Sequence, residues 1–323
     1  MKTILILALD GVMASSLAIT IDTLNAALGF LAAAGKPHRI RVLTAGYKRR
    51  ISTGGGFALQ ADVLFRDIPA SGIQPDWVVI PGCGLVDDAA ITARFARKDV
   101  TEALRLLQAV GDGGARIAAS CSSVFLLGEA GMLDGRRATT TWWLASAFRS
   151  RFPDVALEET KMIVSDGPYT TAGAAFSQLD LTLAIVADIM GAGIARLCSR
   201  YMLIDHRASQ ARYMISTHIR HMDPTVVAAE RWIDDHLAAP ISVTALSSAL
   251  AVSPKTLSRR IAAATGLPPI KFIQRRRLLH ASHLIETTSM SIEAVAASVG
   301  YQDGTALRKL IKREFGATPS ALR

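Results

Sequence analysis

Cysteine is scarce in this 323-residue chain. Cys83, Cys121 and Cys198 are too few for a disulfide framework in a protein of this size, and a reducing, cytoplasmic setting is expected. Aromatic residues make up only 6% of the chain, and no low-complexity tract occurs. Long hydrophobic runs are also missing: each is broken by a charge or a glycine before the roughly 18 residues a spanning helix needs, so no membrane partner is expected. The opening "MKTILILAL" passes into Asp10-Gly11 with no small-residue cleavage pattern, and reads as a buried first strand rather than a signal peptide. Histidine is the last scarcity. The seven stand at 38, 206, 218, 221, 236, 280 and 283, and only His38 falls in the first half's α/β pattern. No metal and no cofactor are expected.

Half of the residues are hydrophobic and 20% are charged, a composition suited to a well-packed α/β or α protein. Single cores stop growing at roughly 250–300 residues, so the length indicates two domains. The net charge of +9 is unevenly spread. Residues 224–323 carry 13 Lys+Arg against 7 Asp+Glu, whereas residues 1–223 carry 23 against 20. The last third therefore holds most of the excess, an electrostatic footprint for nucleic acid if a fold supports it.

Up to about residue 190, short β-rich runs alternate with helical ones. Strands are expected at Thr3–Leu9, Arg39–Thr44, Trp77–Ile80, Arg116–Ala119, Met162–Val164 and Tyr169–Thr171. Helical patterns fall at 17–34, 98–110, 122–130, 140–151 and 174–190. Apolar strands separated by helices indicate a mostly parallel sheet in an α/β three-layer sandwich. "SDGPYT" adds one hairpin. Segment 201–223 is polar and irregular and reads as a linker between a domain at 1–200 and a helical domain at 224–323. In "IAASCSSVFLLGEAGMLDG" a strand runs into Cys121 and straight on into a helix, a turn that can aim a nucleophile into a pocket.

The helical domain contains one layout twice. "VTALSSALAVSPKTLSRRIAAATG" gives a short helix, a tight turn and a second helix with Ser253 as N-cap and Pro254 at its first position. Leu257 and Ile261 face inward; Lys255, Thr256, Ser258 and Arg259 face outward, with Arg260 near that face. "SIEAVAASVGYQDGTALRKLIKREFG" repeats the order, with Leu307 and Ile311 inward and Gly304, Thr305, Arg308, Lys309 and Lys312 on or near the outer face. A helix over "PIKFIQRRRLLHASHLIE" joins them. Two helix-turn-helix units with basic outer faces suit double-stranded DNA, each second helix entering a major groove. Gly304 and Ala306 offer little side-chain reach, so base readout is expected mainly from Lys255 and Arg259 in the first unit, and mainly charge from the second.

These residues resemble the DNA-binding domain of AraC/XylS-type regulators, most strongly at Gly300-Tyr301 and the closing "GATPSALR". Leu307 and Ile311 depart from the family's usual phenylalanines while keeping the core apolar. In the first half, "ALDGVMASSLAITIDTLN", "VVIPGCG", "ASCSSVFLLGEAGMLDGRRATTTWW" and "VSDGPYTTAGAAFSQLDLTLAIV" resemble the PfpI / class I glutamine amidotransferase-like domain. The combination resembles GlxA-type transcriptional regulators. It implies a flavodoxin-like, amidotransferase-like sandwich followed by an all-α domain.

The same resemblance implies an elbow cysteine working with a histidine and an acid, and here most of that machinery is missing. Cys121 is followed by Ser122, the acid position falls on Ser16, and Thr141 stands before Trp142 where related regulators often carry histidine. Covalent hydrolysis needs a base within hydrogen-bond reach of the nucleophile. No catalytic residue is therefore assigned. Ser15, Ser16, Gly82, Cys83, Cys121, Ser122, Thr141, Trp142 and Gly173 are expected to line a pocket for a small-molecule effector, an amino acid or amine-derived metabolite. The protein is thus expected to be a sequence-specific regulator and not an enzyme, a homodimer through its first domain, with RNA polymerase a further candidate partner. The alternatives are an active cysteine hydrolase or amidase tethered to DNA, and a redox sensor using Cys83 and Cys121.

Overall fold

The computed structural model describes residues 1–35, 39–205, 207, 209–214 and 223–322. His38, His206, His218 and His221 lie outside the described residues, as does much of the expected linker. The chain forms two compact units, Met1–Thr141 with Asp154–Ala208, and Trp142–Pro153 with Ser209–Arg323.

In the first unit, β1 (Lys2–Ala8) leads to α1 (Ala14–Ala33), β2 (Ile40–Gly46), the small hairpin β3 (Arg50–Ser52) and β4 (Ala58–Gln60), then β5 (Val63–Leu64) and β6 (Trp77–Ile80). Then come α2 (Asp88–Phe95), α3 (Lys98–Asp112), β7 (Arg116–Ser120), α4 (Val124–Glu129) and β8 (Arg137–Ala138). Helix α5 (Ala145–Arg151) groups with the second unit. The first unit closes with β9 (Ala156–Leu157), β10 (Ile163–Asp166), β11 (Tyr169–Ala172), α6 (Ser177–Met190) and α7 (Ala192–Tyr201).

The seven-stranded sheet has the order β10-β11-β7-β6-β1-β2-β5. Leu5 pairs with Leu43 and Val78, and Val78 with Ile117, all in parallel. Only β10 runs antiparallel, through the turn of "SDGPYT", where Gly167 adopts φ 58°. Ile4 to Ala8 are all buried, the signature of a strand covered on both faces. One face packs Ile4, Ile6, Ala8, Val79 and Ala118 against Leu17 and Leu24 of α1, Leu181 and Ile185 of α6, and Ile194 and Cys198 of α7. Leu5, Leu7, Val78 and Ile117, which alternate with these along the strands, are equally buried.

The expectation about apolar length is corrected at α1. Its 20 residues have a mean hydropathy of 1.5 over the best window, so it is long and apolar enough to cross a membrane. Its buried Leu17, Thr20, Leu24, Ala27 and Leu31, spaced three, four, three and four apart, instead face the sheet core.

The second unit continues with α8 (Pro224–Asp235), α9 (Val243–Ala249), α10 (Pro254–Thr265), α11 (Pro269–Thr287), α12 (Ile292–Ser298), α13 (Gly304–Phe315) and α14 (Pro319–Leu322). Side-chain caps start five of them: Asp223, Ser242, Ser253, Ser291 and Asp303 each accept a backbone N–H of the helix that follows. Val226, Ala229 and Ile233 of α8 close one core with Leu246, Leu257, Ile261, Phe272 and Ile273. Val295, Leu307, Ile311 and Phe315 are buried in the second helix-turn-helix. Both α10 and α13 end at a left-handed glycine, Gly266 and Gly316, each at φ 69°. Helix α5 packs on α10 within this unit, with the Arg149 guanidinium against Gly266.

Candidate functional sites: a sealed elbow and a basic double helix-turn-helix

Cys121 directly follows β7 at φ 54°, one of three described non-glycine residues with positive φ. That left-handed conformation costs a non-glycine residue about 1–3 kcal/mol and persists only where its surroundings impose it. The surroundings are specific. Cys121 N–H donates to Gly173 C=O at 2.8 Å, and Thr140 Oγ1 donates to Cys121 C=O at 2.8 Å. A Cβ placed on Gly82 would come within 2.9 Å of Cys121 Cβ and 3.4 Å of both Ser120 Oγ and Ser16 Oγ. Glycine is thus what lets the loop after β6 touch the elbow. Ser122 Oγ accepts Leu85 N–H at 3.3 Å, and Ser123 Oγ donates to Pro81 C=O at 2.7 Å with Cys83 Sγ at 3.5 Å.

Ser16, Gly82, Cys83, Cys121, Ser122 and Gly173 therefore come together. Ser15 beside them is half-buried, and Thr141 is fully buried. Trp142 belongs to the other unit, buried and edge-on to Trp143 with ring centroids 5.2 Å apart. Sequence reasoning missed Thr140, Thr20 and Gln178, where Gln178 Nε2 donates to Thr20 Oγ1 and Thr20 Oγ1 to Ser16 C=O, both at 2.8 Å. No spacing signal marks them, because Thr20 and Gln178 act through a contact between α1 and α6 and Thr140 through the Cys121 carbonyl.

The chemistry of the elbow is that of a neutral thiol. Burial pushes the Cys121 thiol up, more strongly than hydrogen bonds with Ser122 and Gly84 lower it, and nearby Cys83 raises it further. A thiol so held has little thiolate character at neutral pH and is a poor nucleophile. All three cysteines are free thiols. A cavity of about 10 Å³ lies beside Cys83, Arg94 and Ser122, the lower limit for a single water. Ser120 Oγ, Thr141 Oγ1, Ser177 Oγ and Gln178 Oε1 are buried with no hydrogen-bond partner.

The helix-turn-helix surfaces are opposite in character. On α10, Lys255 and Arg259 are exposed, whereas Thr256 and Ser258 are half-buried and Thr256 Oγ1 lies 2.9 Å from the Ser253 cap. Arg260 turns toward the start of α8, with Nη1 2.5 Å from Thr225 Oγ1 and 3.5 Å from Asp223. On α13, Thr305, Arg308, Lys309 and Lys312 are exposed and Gly304 is buried. Arg308 Nη2 donates to Glu293 Oε1 at 2.8 Å.

The arginine run of α11 points inward and explains where part of the positive charge goes. Arg276 is buried and pairs with Glu230 at 3.1 Å and with Asp234, which also meets His280 at 3.2 Å. Burial alone would raise the Asp234 carboxyl, but hydrogen bonds and charge from His280 and Arg276 hold it below the usual carboxylate range. Arg277 Nη2 donates to Ala239 C=O at 2.6 Å and Nη1 to Gly300 C=O at 3.3 Å.

Comparison with known proteins agrees with both halves. The model of the DJ-1/PfpI family matches residues 2–188, and that of a helix-turn-helix domain matches residues 246–323. The HTH-type transcriptional regulator GlxA of Rhizobium meliloti is 28% identical over 213 residues, covering 65% of this chain and 65% of that protein. This chain thus spans just under two thirds of that relative's length. The HTH-type transcriptional regulator GbdR of Pseudomonas aeruginosa is 25% identical over 278 residues, 84% of this chain and 71% of that protein. Among solved structures, an AraC family transcriptional regulator from Pseudomonas putida superposes with a TM-score of 0.51 at 18% identity, over 62% of this chain and all of that one, a likeness of fold. The family match covers more than half of the chain and contains the elbow: the chain belongs to the DJ-1/PfpI family, with an AraC-type helix-turn-helix domain after it in sequence.

Proposed function

We propose that the protein is a cytoplasmic, sequence-specific DNA-binding transcriptional regulator whose DJ-1/PfpI domain, residues 1–200, senses a small polar metabolite and dimerises, while residues 224–323 bind DNA. The observation that carries this reading is the doubled helix-turn-helix. Two copies of one capped plan hold their apolar pairs inside and leave Lys255, Arg259, Lys309 and Lys312 exposed. Phosphate contacts from such residues hold a recognition helix in register while side chains read base edges.

The elbow supports sensing over catalysis. Its thiol is buried and raised, and the side chains acting on it belong to Ser122 and Cys83, with no histidine or carboxylate among them. Ser120 Oγ, beside Cys121 and against Gly82, is buried without a hydrogen-bond partner, a group that a small polar ligand would satisfy, since an unpaired buried polar group costs about 1–3 kcal/mol. The cavity beside Cys83 and Ser122, about 10 Å³, has room for no more than one water, so a ligand entering it requires its wall to open. The test is a selection of genomic fragments by the full-length protein, followed by salt titration of the selected duplex. Recovery of a common site bound with a steep salt dependence is the expected result; recovery of unrelated fragments would reject sequence-specific binding. Measured hydrolysis of amide substrates that is lost in Cys121→Ala would instead favour the tethered hydrolase.

A further inference from the structure

The two helix-turn-helix units differ at three positions that meet in space in the second unit. Counted from the caps Ser242 and Ser291, Thr244 in the first unit corresponds to Glu293 in the second. Counted from the caps Ser253 and Asp303, Pro254 corresponds to Gly304 and Ser258 to Arg308. In the second unit, Arg308 Nη2 donates to Glu293 Oε1 at 2.8 Å. A Cβ built on Gly304 would lie 2.7 Å from that same oxygen and 3.2 Å from Arg308 Nη1. The carboxylate therefore occupies, over the first turn of α13, space that only a glycine leaves open. In the first unit the corresponding trio carries no charge.

We infer that Glu293 is an affinity-limiting residue of the second unit: a clasp that engages Arg308 and lays a negative charge on the surface meant to face DNA, in room kept by Gly304. The inference rests on the reading of this domain as a DNA-binding one. A guanidinium whose fork is turned to a carboxylate presents fewer donors to guanine or to phosphate. The carboxyl is ionised at neutral pH, because its own backbone N–H, and then Arg308, hold it below the usual range. Both side chains are exposed, Arg308 at 47% and Glu293 at 63%. An exposed pair of this kind contributes little to stability, so its consequence lies at the DNA face rather than in the fold. The clasp competes with DNA for Arg308 and weakens the second unit's grip on every sequence, leaving discrimination to the first.

The experiment uses the full chain, a duplex carrying its selected site, a random-sequence duplex, and titration with salt. In Glu293→Ala both duplexes should bind tighter, on the order of fivefold at 0.1 M salt, with the slope of log K against log salt steeper by about one unit, the value of one added phosphate contact. Gly304→Ala should act in the same direction, because its methyl displaces the carboxylate; the helical backbone at that position accepts alanine. Adding Arg308→Ala to Glu293→Ala should abolish the gain, and the melting temperature should stay with wild type throughout. Unchanged or weaker binding by Glu293→Ala overturns the inference, as does a gain that survives removal of Arg308. If the wild type binds neither duplex, the DNA-binding reading fails and the clasp with it. If Lys309→Ala weakens binding while Glu293→Ala leaves it unchanged, the clasp alone fails.

Discussion

The first and second helix-turn-helix units make the same turn with different residues, and the difference shows which of them has freedom to change. After α9 the chain turns through Ala251 at φ 51°; after α12 it turns through Gly300 at φ 77°. Both sites are left-handed. Ala251 is exposed, so its methyl meets solvent and the unit tolerates the strain. Gly300 has no such latitude: a Cβ there would stand 2.4 Å from Leu237 C=O and 2.8 Å from Arg277 Nη2. The second unit's turn is wedged against the chain after α8 and against α11, which ties it to the first unit's framework. One turn is local, and the other is a joint.

The largest expected effect breaks that joint. Gly300→Ala adds left-handed strain of about 1–3 kcal/mol to an approach of Cβ to a carbonyl oxygen that the backbone has to yield to relieve. The total loss in urea unfolding should therefore reach or exceed the top of that range, with DNA affinity falling as the second unit loses its seat. A variant that melts with the wild type would show that the turn and Leu237 are not in contact in solution.

The second comparison sets the two recognition helices against each other. Arg259→Ala on α10 should cost about 1–3 kcal/mol on the selected site and relax preference at one position, as removal of a base contact does. Lys309→Ala on α13 should weaken all sequences alike and lower the salt slope by about one unit. Titration of both variants on selected and random duplexes separates the two roles. A uniform loss for Arg259→Ala would make it a phosphate contact, and the asymmetry between the helices would be gone.

How much of this could be read from the residues alone follows from what each feature depends on. Strands β1, β6 and β7 are continuous apolar runs and are legible as such, within one or two residues. The capped starts at Ser253 and Asp303 are equally legible, since a cap is a local hydrogen bond from a side chain to the next turn. Strand β5 has two residues, and the hairpin of β3 and β4 has three on each side; these exist because a neighbouring backbone is there to pair with. Helix α5 is read correctly as a helix, but its grouping with residues 209–323 depends on which surface it meets. At the elbow, the resemblance to a known family brought Ser16, Gly82 and Cys121 to one place, while Thr140 and Gln178 carry no signal short of the fold. Arg260 and Arg308 are both basic residues at outward spacing. Only the positions of Thr225, Asp223 and Glu293 reveal that each already has an intramolecular partner.

The smallest expected effect sharpens the comparison of the turns from the other side. If the first unit merely tolerates Ala251, relieving it should stabilise the protein. A left-handed alanine costs roughly 1–2 kcal/mol relative to its preferred conformations. Glycine removes that cost but adds unfolded-chain entropy of about 0.4–1 kcal/mol. The difference leaves Ala251→Gly more stable by about 0.5–1 kcal/mol, readable as a higher urea midpoint at unchanged slope. The N–H groups of Ala251 and Val252 already donate to Ser248 and Ser247 C=O at 3.1 Å, so the turn keeps its hydrogen bonds without the methyl. DNA binding should not change, because Ala251 lies before the cap of α10 and the helix itself starts from Ser253. A destabilised Ala251→Gly would mean that the methyl packs on something in solution, and the first turn would then be as fixed as the second.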